Sequence, residues 1–243
     1  MSKCEHFSKF AHILTIFVRS SSQFFDKRTK KCQNVSKCEQ FLYLNEYGIR
    51  ITLDKCGVHK NLHAFLLYLK QTNDIDGCFV FSPAFHIKSL CEYFYSEGAN
   101  INYVNENTET ALHVAAFEKQ NDIANYLIKQ GIDIDKVNKT YGSAFNIAVN
   151  TNNTELVELL NANGASINLQ GEIEDLRPLQ IAAIKNNIKI AEILISRGEN
   201  VNSSKNYLGF TPLIYAALYN YKEMAEFLIS HGANISLTDH NGN

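Results

Sequence analysis

An all-α solenoid of stacked helix-turn-helix units, with extended turns between them, is the fold class this sequence predicts, and three observations predict it. Glycines recur at Gly98, Gly131, Gly164, Gly198 and Gly232, so successive separations are 33, 33, 34 and 34 residues, and a fixed period of that length marks a stacked repeat array. Ahead of the last four of these glycines stand apolar pairs four residues apart, namely Ile123 with Leu127, Leu156 with Leu160, Ile190 with Leu194 and Met224 with Leu228, which is the spacing of one helix face. Further upstream come the small residues Ala115 and Ala116, Ala148, Ala182 and Ala183, and Ala216 and Ala217. They allow a second set of helices to approach its neighbours closely, as stacking requires.

Taken in order, residues 1–39 mix short apolar and basic runs that share nothing with the later period, and they read as a poorly defined leader. An amphipathic helix over residues 7–18 is the other reading of this stretch. From 40 to 76 the segments QFLYLNEYGIRI and NLHAFLLYLKQTNDID read as degenerate helical repeats. In the second of them Leu62, Phe65, Leu66 and Leu69 fall at i, i+3, i+4 and i+7, a single helical stripe.

Residues 77–104 form a divergent unit, of which 77–102 aligns without a gap onto residues 110–135, TALHVAAFEKQNDIANYLIKQGIDID. Its Pro83 falls where Ala116 stands, which predicts a short or irregular first helix, because proline removes a backbone donor and crowds the preceding turn. Four full units follow over 105–239, at 105–137, 138–171, 172–205 and 206–239. Each has a first helix such as TALHVAAFEK, a second such as NDIANYLIKQ, a glycine suited to a left-handed helix end, and an extended stretch holding Ile134, Ile167, Val201 or Ile235. Leu112, Phe145, Leu179 and Leu213 are expected to fill the space between units. Residues 240–243 resemble the start of a truncated further repeat, which predicts an uncapped apolar face on the last unit and association through it.

The composition suits a folded interior: 45% of the 243 residues are hydrophobic and 20% are charged. A formal charge of −2 gives no general drive toward nucleic acid or an anionic membrane, and the one basic run, Lys27, Arg28, Lys30 and Lys31, reads as a solvated stretch. All six cysteines lie before residue 92, without a CxxC pair. The apolar run at 10–18 is too short to span a bilayer and lacks a small-residue cleavage site. A reducing cytoplasmic or nuclear setting is the expectation.

At TALHVAA with GIDID and at GFTPLIYAA with HGANIS, the chain resembles the ankyrin repeat family. GSAFNIAV with NGASIN and LRPLQIAA with RGENVN carry a weaker form of the same motif. The resemblance covers residues 77–243 and implies a helical solenoid that binds a protein partner. It also implies that a threonine hydroxyl and a histidine ring tie the turn at the start of each first helix, a role that falls here on Thr110 and His113, with Thr211 and Pro212 keeping part of the motif. Ser143 with Asn146, Arg177 with Gln180, and Thr211 with Ile214 depart from that pairing, so weaker turns are expected there. Residues 40–102 further resemble the uncharacterised segment that precedes ankyrin repeats in many predicted protist proteins.

No residue constellation points to catalysis. Thr110 beside His113 resembles a nucleophile and base but lacks a third, orienting group. Asp133 and Asp135 lack the twelve-residue loop of a calcium site, and no phosphate-binding glycine loop is present. The chain therefore reads as a non-enzyme needing no cofactor. Cys56, His59 and His63, with Cys38 as a fourth ligand, are the metal candidates and underlie an alternative reading as a metal-bound regulatory N-terminal module. The favoured reading is a non-catalytic protein-binding module or scaffold, and a self-assembling structural array without an external partner is the other alternative.

The expected binding face is the concave side made by the first helices and the turns before them. Val114, Phe117 and Glu118, Ile147, Asn150 and Thr151, Ile181, Ile184 and Lys185, and Tyr215, Leu218 and Tyr219 are expected to point there. Aromatic anchors of this kind are typical of protein-binding hot spots. The turn tips Tyr103, Glu106, Lys139, Tyr141, Glu172, Glu174, Asp175 and Tyr207 form a second candidate set. No nucleic acid and no membrane is expected as a partner.

Overall fold

The computed structural model describes residues 53–167, 169, 176–204 and 206–240. The expectations for the leader, for residues 40–52, for the basic run and for Cys38 lie outside the described residues, as do Glu172, Glu174 and Asp175. The chain divides after Asn73 into two compact units.

In the first unit, α1 spans Leu53–Val58 and α2 spans Leu62–Thr72. Asn61 starts α2, its Oδ1 accepting from the Ala64 amide at 3.0 Å, which satisfies one of the donors a helix start leaves open. Leu62, Phe65 and Leu66 are buried and Leu69 is half-buried, so the predicted stripe is the one that turns inward. His59 stands in the turn between the two helices rather than on a helix with His63.

The second unit begins with α3 at Ile75–Phe81, which runs into a 3₁₀ turn at Ser82–Phe85 before α4 at Lys88–Ser96. Pro83 sits in that tighter turn, where its missing N–H costs least, so the first helix is interrupted as expected. It also starts earlier than the alignment onto Thr110 implies, because the Asp74 carboxylate accepts from the Gly77 amide at 2.9 Å. A Cβ on Gly77 would collide with that carboxylate.

Four regular helix pairs follow: α5 Ala111–Phe117 with α6 Asn121–Lys129, α7 Ala144–Asn150 with α8 Thr154–Ala162, α9 Pro178–Ile184 with α10 Ile188–Ser196, and α11 Pro212–Leu218 with α12 Lys222–Ser230. Each first helix is stopped by a residue in the left-handed region, at Lys119, Asn152, Asn186 and Asn220, three of them the asparagine that tolerates it best. At the end of α8, Gly164 has φ +80°, and a Cβ there would meet nothing within 4 Å. The requirement for glycine is thus one of backbone conformation alone. Gly164→Ala is expected to cost about 1 kcal/mol in a urea melt, and a loss several times larger would mean that crowding had been overlooked.

First helices pack on the first helices of the next pair as well as on their own partners, α5 on α7, α7 on α9 and α9 on α11. Leu112, Phe145 and Leu179 lie buried between them, as do Ala115, Ala116, Ala148, Ala182 and Ala183. In the last pair the pattern fails: Leu213 is half-buried and Ala217 is exposed. The apolar pairs of the second helices, from Ile123 to Leu228, are all buried.

The extended turns carry their own cross-unit bonds. Asn102 Oδ1 accepts from the Asp133 amide, Asp135 Oδ1 from the Ser166 amide and Asn202 Oδ1 from the Asn234 amide, each at 2.8 Å. Asp135 also accepts from the Ser166 hydroxyl, so its carboxylate is engaged in joining units. A two-residue strand pair, β1 at Val137–Asn138 and β2 at Gly142–Ser143, closes the turn before α7.

Candidate functional site

The start of α5 holds a polar cluster in which Thr110 faces His113. Thr110 is fully buried and His113 nearly so. The Thr110 amide donates to His113 Nδ1 at 3.1 Å and the Thr110 hydroxyl to the same atom at 2.8 Å. Nδ1 is therefore an acceptor, and Nε2–H donates to the Gly142 carbonyl of the next unit at 3.2 Å. Such a ring is neutral, and burial pushes its pKa down from 6.5 to about 4. Its lone pair is committed to the turn, so the pair is a brace rather than a base and nucleophile.

Equivalent positions perform this task to different degrees. Gln180 Oε1 accepts from the Arg177 amide at 2.7 Å, while Nε2 donates to the carbonyls of Phe210 at 2.8 Å and Ser203 at 3.0 Å. The expected weakness at this turn is thereby corrected, because a glutamine carries an acceptor and a donor about as far apart as those of the ring. Asn146 is shorter. It donates to Leu169 at 2.7 Å, and its Oδ1 and the Ser143 hydroxyl have no hydrogen-bond partner among the described residues. In the last unit the Thr211 hydroxyl accepts from the Ile214 amide at 3.2 Å, with Pro212 at the first helical position, but Ile214 has no polar atom with which to reach further.

The concave-face candidates separate by depth. Phe117 is 43% exposed, Leu218 62% and Tyr219 48%. Lys185 is also exposed and Ile184 half-buried. Glu118 is held by His86 at 2.9 Å. Tyr215 is only 7% exposed, and Ile147 and Ile181 are buried as well, so these three do not lie on the open face. They occupy the fourth position of their helices. At Tyr215 the residue just before the helix cap, Phe210, packs edge-on with ring centroids 5.3 Å apart, the hydrophobic staple that fixes how a chain enters a helix. At Tyr215, an apolar residue just before the cap paired with one at the fourth position was the sequence signal for its burial.

Among the turn tips, Tyr207 is largely exposed and Tyr103 marginally so. Tyr141 is half-buried because its ring meets Phe117 edge-on at 4.9 Å. Tyr219 stacks on Tyr221 at 5.7 Å, a residue that the sequence reading had not singled out. Two aromatic pairs therefore reach this surface, Phe117 with Tyr141 and Tyr219 with Tyr221, the second next to Leu218.

Amide side chains brace this surface from unit to unit. Asn153 Nδ2 donates to Asn121 Oδ1 at 2.7 Å, Asn121 Nδ2 to Glu155 at 2.8 Å, and Asn187 Nδ2 to Asn152 Oδ1 and Thr154 Oγ1, both at 2.8 Å. These asparagines stand where first and second helices join, so the ladder fixes the spacing of the inner helices.

The metal candidates do not converge. Cys56 is buried, whereas His59 and His63 are exposed. Among the described residues no group of three or more His, Cys, Asp or Glu side chains is placed to hold a metal ion. No helix among them is long and apolar enough to cross a membrane.

A family model described as "Ankyrin repeats" matches the chain three times, over residues 61–138, 82–171 and 145–239. None of the matches reaches residues 1–60, and the further resemblance of the 40–102 segment gains no support from them. No curated protein matches the chain.

Proposed function

Since the chain belongs to the ankyrin repeat family, whose repeats generally act as protein–protein interaction modules, we propose that it is a non-catalytic binding module or scaffold that engages a protein partner through its concave face. The observation that carries this reading is the exposure of Phe117, Leu218 and Tyr219 along a row of first helices, the first three of which belong to helix pairs joined by the amide ladder. A preformed surface loses little conformational entropy on binding, and aromatic anchors concentrate binding energy. Phe117, Glu118, Ile184, Lys185, Leu218, Tyr219, Tyr141 and Tyr207 form the contact set, and a cytoplasmic setting goes with it.

The test is affinity capture from native cells with the full chain, set against a variant carrying Phe117→Ala, Ile184→Ala and Tyr219→Ala. Loss of a reproducible partner while the helical circular dichroism is retained supports the reading; unchanged capture sinks it. Self-assembly is the second reading. It is favoured by Leu218, Ile229, Ile235 and Leu237, all exposed on the last helix pair and its turn, and concentration-dependent oligomers that form without any partner would select it.

A further inference from the structure

Glu199 stands immediately after Gly198, at the position occupied in the other units by Ala99, Ile132, Ala165 and Ala233, all of them buried. It is the only charged residue in the series, yet it too is buried, with 9% of its surface exposed. Its Oε1 accepts from the Leu179 amide at 3.0 Å, in the first turn of α9. Its Oε2 is buried and has no hydrogen-bond partner among the described residues.

The same unit is exceptional at its helix start. The cap residues of α5, α7 and α11 are Thr110, Ser143 and Thr211, all hydroxyl-bearing, and the Thr211 hydroxyl accepts from a first-turn amide, whereas the cap of α9 is Arg177. A guanidinium has donors only and cannot accept from the open amides of a first turn. The two departures from the pattern meet at one helix start, because Arg177 offers the first turn of α9 no acceptor and Glu199 supplies one from across the turn, to the Leu179 amide. Arg177 is also the charged group among the described residues that acts on the Glu199 carboxyl.

We propose that Arg177 and Glu199 form a single device, in which Glu199 caps α9 in place of the missing hydroxyl and makes this repeat the pH-responsive joint of the array. Burial is the dominant influence on the carboxyl. It pushes the pKa from 4.5 up to about 7, against the opposing pull of the Leu179 amide and of Arg177. The folded unit therefore holds a proton that an opened unit releases. The stabilisation is complete below the unfolded value and is lost as pH rises from about 4.5 to about 7, so the first turn of α9 loosens as pH climbs to neutrality and levels off above it.

Site-resolved amide exchange on the full chain, corrected for intrinsic rates, reads this directly. Between about pH 6 and pH 8.5 the protection of α9 amides is expected to fall about tenfold in the wild type and to stay level in Glu199→Gln. A wild-type profile with no such fall, or an equal fall in Glu199→Gln, overturns the proposal. The capping role is tested separately with residue types that the other units already use. Glu199→Ala is expected to leave the Leu179 region poorly protected at all pH values, and adding Arg177→Thr to restore protection without pH dependence. Failure of Arg177→Thr to restore protection in the Glu199→Ala background would show that the two residues are not one device. This pair of variants also decides the matter if Glu199→Gln does not fold.

Discussion

Replacing His113 with alanine is expected to lower the unfolding free energy by about 3 kcal/mol, measured by urea denaturation at pH 7.5. The Thr110 amide and hydroxyl and the Gly142 carbonyl all lose their partner in a buried site, and a buried group left without a hydrogen bond bears its full desolvation cost. His113→Gln is expected to cost only about 1 kcal/mol, since Gln180 already makes the equivalent set of contacts in its own unit. The pH dependence follows from the burial of the ring. Its pKa is lowered from 6.5 to about 4, so the stability it contributes is complete above the unfolded value and is lost as pH falls through the folded one. The wild type should therefore weaken between about pH 6.5 and pH 4 by up to about 3 kcal/mol, and His113→Gln should lack that component. Equal losses in the alanine and glutamine variants would contradict the hydrogen-bond account and leave only packing.

Leu179→Ala and Leu213→Ala remove the same atoms from equivalent positions in adjacent units, and very different effects are expected. Leu179 is fully buried between α9 and its neighbours, so its truncation should cost about 2–5 kcal/mol. Leu213 is half-buried, and about 1 kcal/mol is expected from the smaller area returned to water. Urea melts of the two variants at low protein concentration make the comparison. An effect at Leu213 as large as that at Leu179 would mean that the last helix pair is covered in solution. If so, the effect should change with protein concentration, because association stabilises by mass action.

The architecture could be read before any coordinates because a solenoid repeats its constraints. One glycine or alanine is weak evidence, but Gly131, Gly164, Gly198 and Gly232, each preceded by one more copy of the same pattern, are strong evidence together. Pro83 likewise announced an irregular helix, since its effect on the backbone is local. Other features depended on which way side chains turn. Tyr215, Ile147 and Ile181 read as surface residues because the first helices of a solenoid line its concave side. At Tyr215 the Phe210 ring covers the side chain instead, and the turn that supplies it has no helical period to display. His59 and His63 suited a helical pair by spacing until a turn fell between them.

The sequence by itself determined the family, the period, the helix pairs and the residue types that meet between units, because each follows from local conformation or from a pattern repeated along the chain. Only the tertiary structure decided which members of that pattern are open to solvent. Phe117 is exposed and Tyr215 covered, and Leu213 is half open where Leu179 is sealed, because burial depends on what the neighbouring turn or unit lays over a side chain. It also paired Arg177 with Glu199. Twenty-two positions separate them in the sequence, and the first turn of α9 needs an acceptor that its own cap residue lacks.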